Sequence, residues 1–366
     1  MKKMYLILLL CLPISAFAQL EASWWFFGFN ASLQFTPAPA PGPLGSLSTF
    51  EGCSTISDRC GVLQMYSDGT TIWDRNGAVM QNGTGLSGNS SSAQSAIIIP
   101  DLQVPSRYFV VTISGGSAGL QYSIVNMLGN GGLGEVIPGR KNLPIQANTQ
   151  EKVTAALNAD GNAYWIVTFA SGTYSSYLAG GGVVNVPSRV NSVIPASNVL
   201  TDQRGYIRLS PDASKIANTS IGNAGSAILC NFNNRTGVVS NPIVLTNGGS
   251  TSNRFYGAEF STNSQLLYLN ANSSDSGNGC GTSNVRQVIQ YNLNGGPGFN
   301  NNPVNLGGIT GVATGRGGLQ LGVDGRIYQA RTCQPWLGVI RSPEIIGTGA
   351  NYVDDGVALG AGRTSR

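Results

Sequence analysis

The stretch Val153–Leu157 (VTAAL), the polar turn at Asp160-Gly161, Ala163–Phe169 (AYWIVTF) and Tyr174–Leu178 (YSSYL) decides the fold of this chain. Three short runs rich in β-branched and aromatic residues are joined by tight polar turns. Asp-Gly tolerates the positive φ angles that such hairpins require. The same triplet recurs along the sequence. Cys53–Ser57 turns at Asp58–Gly61 into Val62–Tyr66 and Thr70–Asp74, and Ser95–Ile99 leads to Tyr108–Ile113 and Leu120–Val125. Tyr206–Leu209 turns at Pro211-Asp212 into Lys215–Asn218 and Ala227–Phe232. Tyr256–Phe260 leads to Leu266–Leu269 and Val288–Leu293, and Leu319–Leu321 turns at Asp324-Gly325 into Arg326–Ala330 and Leu337–Ile340. Repeats roughly 45 to 60 residues apart have the spacing of propeller blades. A single triplet leaves a sheet face bare, and packing sheet on sheet around a ring covers it.

The reading is therefore an all-β chain, a β-propeller of WD-like four-stranded blades. Seven blades are expected and six are the alternative. Trp24–Gly28 and Ser32–Phe35, with a rigid Pro37–Pro43 connection, are expected to share a composite closing blade with Tyr352–Leu359. Composition agrees. Gly accounts for 50 of 366 residues and charged residues for 10%, against roughly 25% in ordinary soluble domains. Helical spacing with caps is nearly absent.

Residues 1–18 read as an export signal. Lys2 and Lys3 precede an apolar Met4–Ile14, and Ala16-Phe17-Ala18 fits a small-x-small cleavage site. Residues 19–366 are then one propeller domain. Losing Lys2 and Lys3 takes the formal net charge from +4 to +2, which gives no footprint for nucleic acid, and no later segment reads as a membrane span. Export permits disulfides. Of six cysteines Cys11 leaves with the signal, so the remaining number is odd. Cys280 and Cys333 sit in equivalent loops of successive units and are the expected disulfide. Cys53 and Cys60 share a hairpin out of register, and Cys230 reads as a buried thiol.

An ordered set of motifs runs through the chain: Glu51–Asp58 (EGCSTISD), Tyr66–Gly69 (YSDG), Ile72–Asn76 (IWDRN), Gln81–Leu86 (QNGTGL), Ala93–Pro100 (AQSAIIIP), Gly132–Val136 (GLGEV), Ser210–Asp212 (SPD), Tyr256–Phe260 (YGAEF), Leu319–Gly322 (LQLG) and Gly362–Arg366 (GRTSR). It resembles the propeller-like N-terminal region of Bacteroidota surface proteins carried by the type IX secretion system, the type B sorting-domain proteins. The resemblance implies a cell-surface or extracellular place and an adhesive role, with no established activity. In that family the last motif is followed by further strands, immunoglobulin-like repeats and a sorting domain. The expectation is either a truncated piece of such a protein or a short relative without its own address for the outer surface, with a periplasmic location if it has no sorting domain.

There is no histidine, which removes the Ser-His-Asp triad, the Cys-His dyad and histidine metal sites together. Gly115–Gly119 matches G-x-S-x-G and Gly129–Gly134 matches G-x-G-x-x-G, but no helix follows either. Glu51, Glu151 and Glu259 lie on or beside first strands of three units, with Gln94 and Gln320 near other first strands. First strands line a propeller's channel, so these five are the ligand-binding candidates. Tyr174, Tyr177 and Trp336 are the surface-aromatic candidates. Asp58, Asp160, Asp212 and Asp324 recur at turns as caps. No catalytic residue, metal or cofactor is assigned. The expected function is a non-enzymatic exported or cell-surface propeller that binds a protein or glycan partner. The alternatives are a polysaccharide-active enzyme on the same scaffold and a purely structural module of a larger adhesin. The sequence does not fix the oligomeric state.

Overall fold

The computed structural model describes residues 20–36, 38–195, 200–222, 227–248, 254–272, 286–307 and 317–365. Residues 1–18, read above as an export signal, and Cys280 lie outside them. Among the described residues seven runs of antiparallel strands follow one another, spanning residues 24–41, 54–84, 96–146, 153–193, 207–245, 254–305 and 319–358, the second and third being linked into one sheet by a single parallel contact. Neighbouring strands within each run are antiparallel, and sequence order is largely spatial order. The innermost strands are Trp24–Phe27, Ser54–Ser57, Ala96–Pro100, Val153–Leu157, Ile207–Leu209, Arg254–Phe260 and Leu319–Leu321. The protein is a β-propeller with seven blades.

Strand side chains alternate between the two faces of a blade, and each face needs a partner. Seven apolar clusters provide one core for each seam of the ring. Phe26 and Leu47 meet Leu63 and Tyr66 between the first and second blades. Ile56 and Met65 meet Tyr108 and Val110 in the next seam, and Phe109 and Val111 meet Ile166 and Tyr177 in the one after. Val167 and Tyr174 meet Ile216 and Ile228; Leu229 meets Phe255 and Leu267; Tyr268 meets Ile327 and Ile340. Leu33 and Phe35 meet Tyr328 and Val339 between the last blade and the first, which closes the circle.

Three of the four expected aspartates cap their turns; at the fourth, Asn158 Oδ1 accepts the Asn162 and Ala163 amides at 3.1 Å each, and Asp160 pairs with Arg235 instead. Asp58 Oδ1 accepts the Cys60 and Val62 amides at 2.9 and 3.0 Å, Asp212 Oδ1 accepts Ser214 N, and Asp324 Oδ1 accepts Arg326 N. Gly61, Gly161 and Gly325 take φ of 82°, 70° and 77°, where a Cβ is strained. Outer strands complete the triplets, among them Val79–Thr84, Val238–Leu245 and Tyr352–Ala358. The second and third blades are also joined at their rims, where Glu135 pairs in parallel with Gln81 and Asn82 Nδ2 donates to Val136 O at 2.9 Å.

Two expectations change. Tyr352–Ala358 pairs with Trp336–Ile340 as the outer strand of the seventh blade and does not enter a composite sheet with the N-terminus. The ends meet instead through residues 359–365. Phe29 N donates to Thr364 O at 3.0 Å and Arg363 Nη1 to Gly42 O at 2.8 Å, toward the first blade. Ser365 Oγ accepts Arg331 N at 2.9 Å and donates to Arg331 O at 2.7 Å, toward the seventh. Tyr174 and Tyr177 are fully buried rather than exposed. They are three positions apart on one strand, so they point to opposite faces and fill two different seams. Trp336 stays 36% exposed. Cys333 is disulfide-bonded, and Cys53, Cys60 and Cys230 are free thiols.

Candidate functional site

The ring of inner strands encloses a central cavity of about 370 Å³. Trp25 and Phe27 of the first blade, Ile97 of the third, Ala155 of the fourth and Leu319 of the seventh supply apolar wall. The polar groups on it are Glu51, Gln94, Tyr206, Arg208 and Gln320, together with several hydroxyls.

Three of the five expected channel residues are thus brought to one cavity, but in different states. Gln94 is buried and already satisfied. Its Nε2 donates to Ile207 O at 3.1 Å and its Oε1 accepts Ile207 N at 2.9 Å, so the amide reaches from the third blade to the fifth like an added peptide group. Gln320 Oε1 accepts Arg208 Nη2 at 3.0 Å. Glu51 is the carboxylate among the lining residues. The other two acids are displaced from the cavity wall. Glu151 turns to the Ala93 amide, accepted by its Oε2 at 3.2 Å, and packs beside Gly115. Glu259 is buried behind Arg208, 3.4 Å from its Nε, and accepts the Leu321 and Phe260 amides at 2.9 and 3.0 Å. Burial raises its carboxyl pKa, against the pull of Arg208 and those two amides.

Two site residues escaped the reading of the sequence. Tyr206 and Arg208 stand two positions apart at the inner strand of the fifth blade, so both face the channel. That alternation is the signal the sequence carries for them. The Tyr206 hydroxyl lies against the backbone of Gly318, where any Cβ would collide with it. No protein group among the described residues accepts its proton. Burial pushes the phenol well above the ordinary tyrosine range; Arg208 opposes this, while Cys53, Glu51 and Glu259 add to it. Tyr206 therefore remains a neutral hydrogen-bond donor within electrostatic reach of the Glu51 carboxylate. The Cys53 thiol beside them is pushed up to about 12, by burial and then by Asp68, and is no nucleophile at neutral pH. Among the described residues no group of His, Cys, Asp and Glu is placed to hold a metal ion.

No family model matches the chain, and no curated protein matches it. Solved structures do. A candidate 6-phosphogluconolactonase from Bacteroides uniformis ATCC 8492 is similar with a TM-score of 0.52 at 12% identity, over 92% of this chain and 96% of that one. A second candidate 6-phosphogluconolactonase, from Bacteroides fragilis NCTC 9343, gives 0.49 at 9%, over 90% and 91%. A periplasmic gluconolactonase of Pseudomonas aeruginosa gives 0.42 at 16%, over 64% of each chain. At such identities the likeness shows the fold, a β-propeller. The neighbour with a TM-score of 0.52 bears an enzyme's name, and the expectation of a non-enzymatic binding propeller gives way to its catalytic alternative.

Proposed function

We propose that the protein is an enzyme that hydrolyses a small sugar-derived lactone or ester in its central cavity. The observation that carries this is the meeting of a carboxylate, Glu51, with an uncommitted neutral phenol, Tyr206, on the wall of one cavity. A volume of about 370 Å³ is at the small end of ligand pockets, suited to one sugar unit or a chain end rather than a polymer laid along a cleft. The class of substrate follows the names of the structural neighbours, sugar lactones.

The chemistry needs a base, an oxyanion donor and water. Glu51 takes a proton from water as its oxygen attacks the carbonyl carbon. Tyr206 donates a hydrogen bond to the oxygen that becomes negative. The tetrahedral species collapses with cleavage of the bond to the ring oxygen, and the proton held by Glu51 passes to that oxygen. A hydroxy acid leaves and both side chains return to their starting states. The Lys2–Ala18 pattern and the surface-protein resemblance support an exported site of action, at the cell surface or in the periplasm.

A pH-stat assay with glucono-lactones, beside a panel of polysaccharides, tests the proposal. Turnover of a lactone is expected, with Glu51→Gln lowering kcat about 10²- to 10⁴-fold and Tyr206→Phe about 10²- to 10³-fold. Absence of turnover on every lactone and glycan, or a Glu51→Gln variant as active as the parent, overturns it.

A further inference from the structure

We propose that Arg208 is a subsite for an anionic group, so that the cavity selects acidic sugars, carboxylated or phosphorylated, over neutral ones. The inference deepens the enzymatic reading and rests on it for the choice of sugars. A guanidinium has five N–H donors on three nitrogens. In Arg208 the Nε edge is taken by Glu259, 3.4 Å away, and by Ala258 O at 3.5 Å. Nη2 is taken by Leu319 O at 3.2 Å and Gln320 Oε1 at 3.0 Å. Nη1 donates to no protein group among the described residues, although the side chain lines the cavity and is 21% exposed.

The partners come from two further blades and hold the fork from behind. Glu259 is itself fixed by two backbone amides, so the guanidinium is oriented before any ligand arrives. This arrangement also sets the size of the effect. Glu259 balances the charge of Arg208 in the empty site, so long-range attraction for an anion is weak. What an acidic ligand gains is charge-assisted hydrogen bonding at the open Nη1. Bonds of that kind are worth about 10- to 100-fold in affinity. A neutral hydroxyl at the same place gains less. Gln320, anchored on Nη2 through its Oε1, donates its Nε2 to Leu321 O at 3.2 Å and so helps to hold the fork in place.

Calorimetric titration of the full chain with glucose, glucuronate and glucose 6-phosphate tests the subsite with three ligands sharing one ring. One or both acidic sugars are expected to bind about 10- to 100-fold tighter than glucose, and comparing the two tells carboxylate from phosphate. Arg208→Gln removes that preference; because it strands a buried carboxylate, Arg208→Gln/Glu259→Gln, which deletes both charges, is measured beside it. Equal affinity for acidic and neutral sugars, no binding of either acidic sugar, or a preference that survives in the double variant overturns the proposal. The two readings fail separately. Lactone turnover with no acidic preference sinks the subsite alone. An Arg208-dependent preference without turnover of any lactone sinks the enzymatic reading and leaves the subsite standing.

Discussion

At the scale of single residues the ring holds one cation in an unusual place. Lys152 is fully buried, yet its Nζ donates to Thr219 O at 2.7 Å, Asn218 Oδ1 at 3.2 Å and Asp202 O at 3.5 Å. It ties the fourth blade to the fifth. Burial lowers its pKa to about 7, against the opposing charges of Asp202 and Glu151. The folded chain then gives up this proton at lower pH than the unfolded chain, whose lysine titrates near 10.5. Between those values the unfolded state binds more protons, so stability rises with pH. Above about 9 the buried thiols reverse the trend. Cys53 and Cys230, raised by burial to about 12 and about 11, keep protons that the unfolded chain has lost. The window for Lys152 is therefore pH 7 to 9, where Tm is expected to climb by about 2–4 °C. Thermal melts of the parent and of Lys152→Met check this; the same climb in the variant would remove Lys152 as its cause. Nothing in the sequence distinguished Lys152 from a surface lysine, since its burial depends on a strand some 60 residues away.

At the scale of the strand, legibility followed the density of apolar residues. The three inner strands of each unit were readable because both faces are buried, giving runs such as Tyr164–Ala170 and Leu266–Asn272. Outer strands hid because they bury little. Val238–Leu245 shows mostly exposed and half-buried positions and carries Pro242, as an edge strand can. The exposed-aromatic expectation failed for Tyr174 and Tyr177 for the same reason in reverse. Ser and Gly around them suggested an exposed stretch, whereas Ser175 and Ser176 are buried with them in a strand whose faces meet other blades. Truncating Tyr174 should thus cost about 3–5 kcal/mol, as for large aromatic core residues, and Trp336→Ala below about 1 kcal/mol. Urea unfolding of the two variants separates core from surface; equal losses would contradict the placement. Of the five channel candidates, position along the inner strand located all near the axis, but only packing decided which face the cavity. Glu259 and Glu151 were lost to it through partners the sequence does not reveal.

Over the whole molecule the repeat made seven blades legible, while the mode of closure was not. A composite blade was the expected latch, and the structure uses residues 359–365 instead, held by the first blade through Phe29 and Gly42 and by the seventh through Arg331 and Gln334. Leu359 is fully buried in the same seam. Deleting 359–366 removes several hydrogen bonds and that leucine, and Tm is expected to fall by more than about 5 °C. A melt indistinguishable from the parent would show that the ring closes without them.

The rim pairing of Gln81 with Glu135 adds a second tie between two neighbouring sectors. They are joined backbone to backbone at the circumference as well as packed along their flanks. An opening of the hub that parted these two rims would have to break that bond as well as the seam between them.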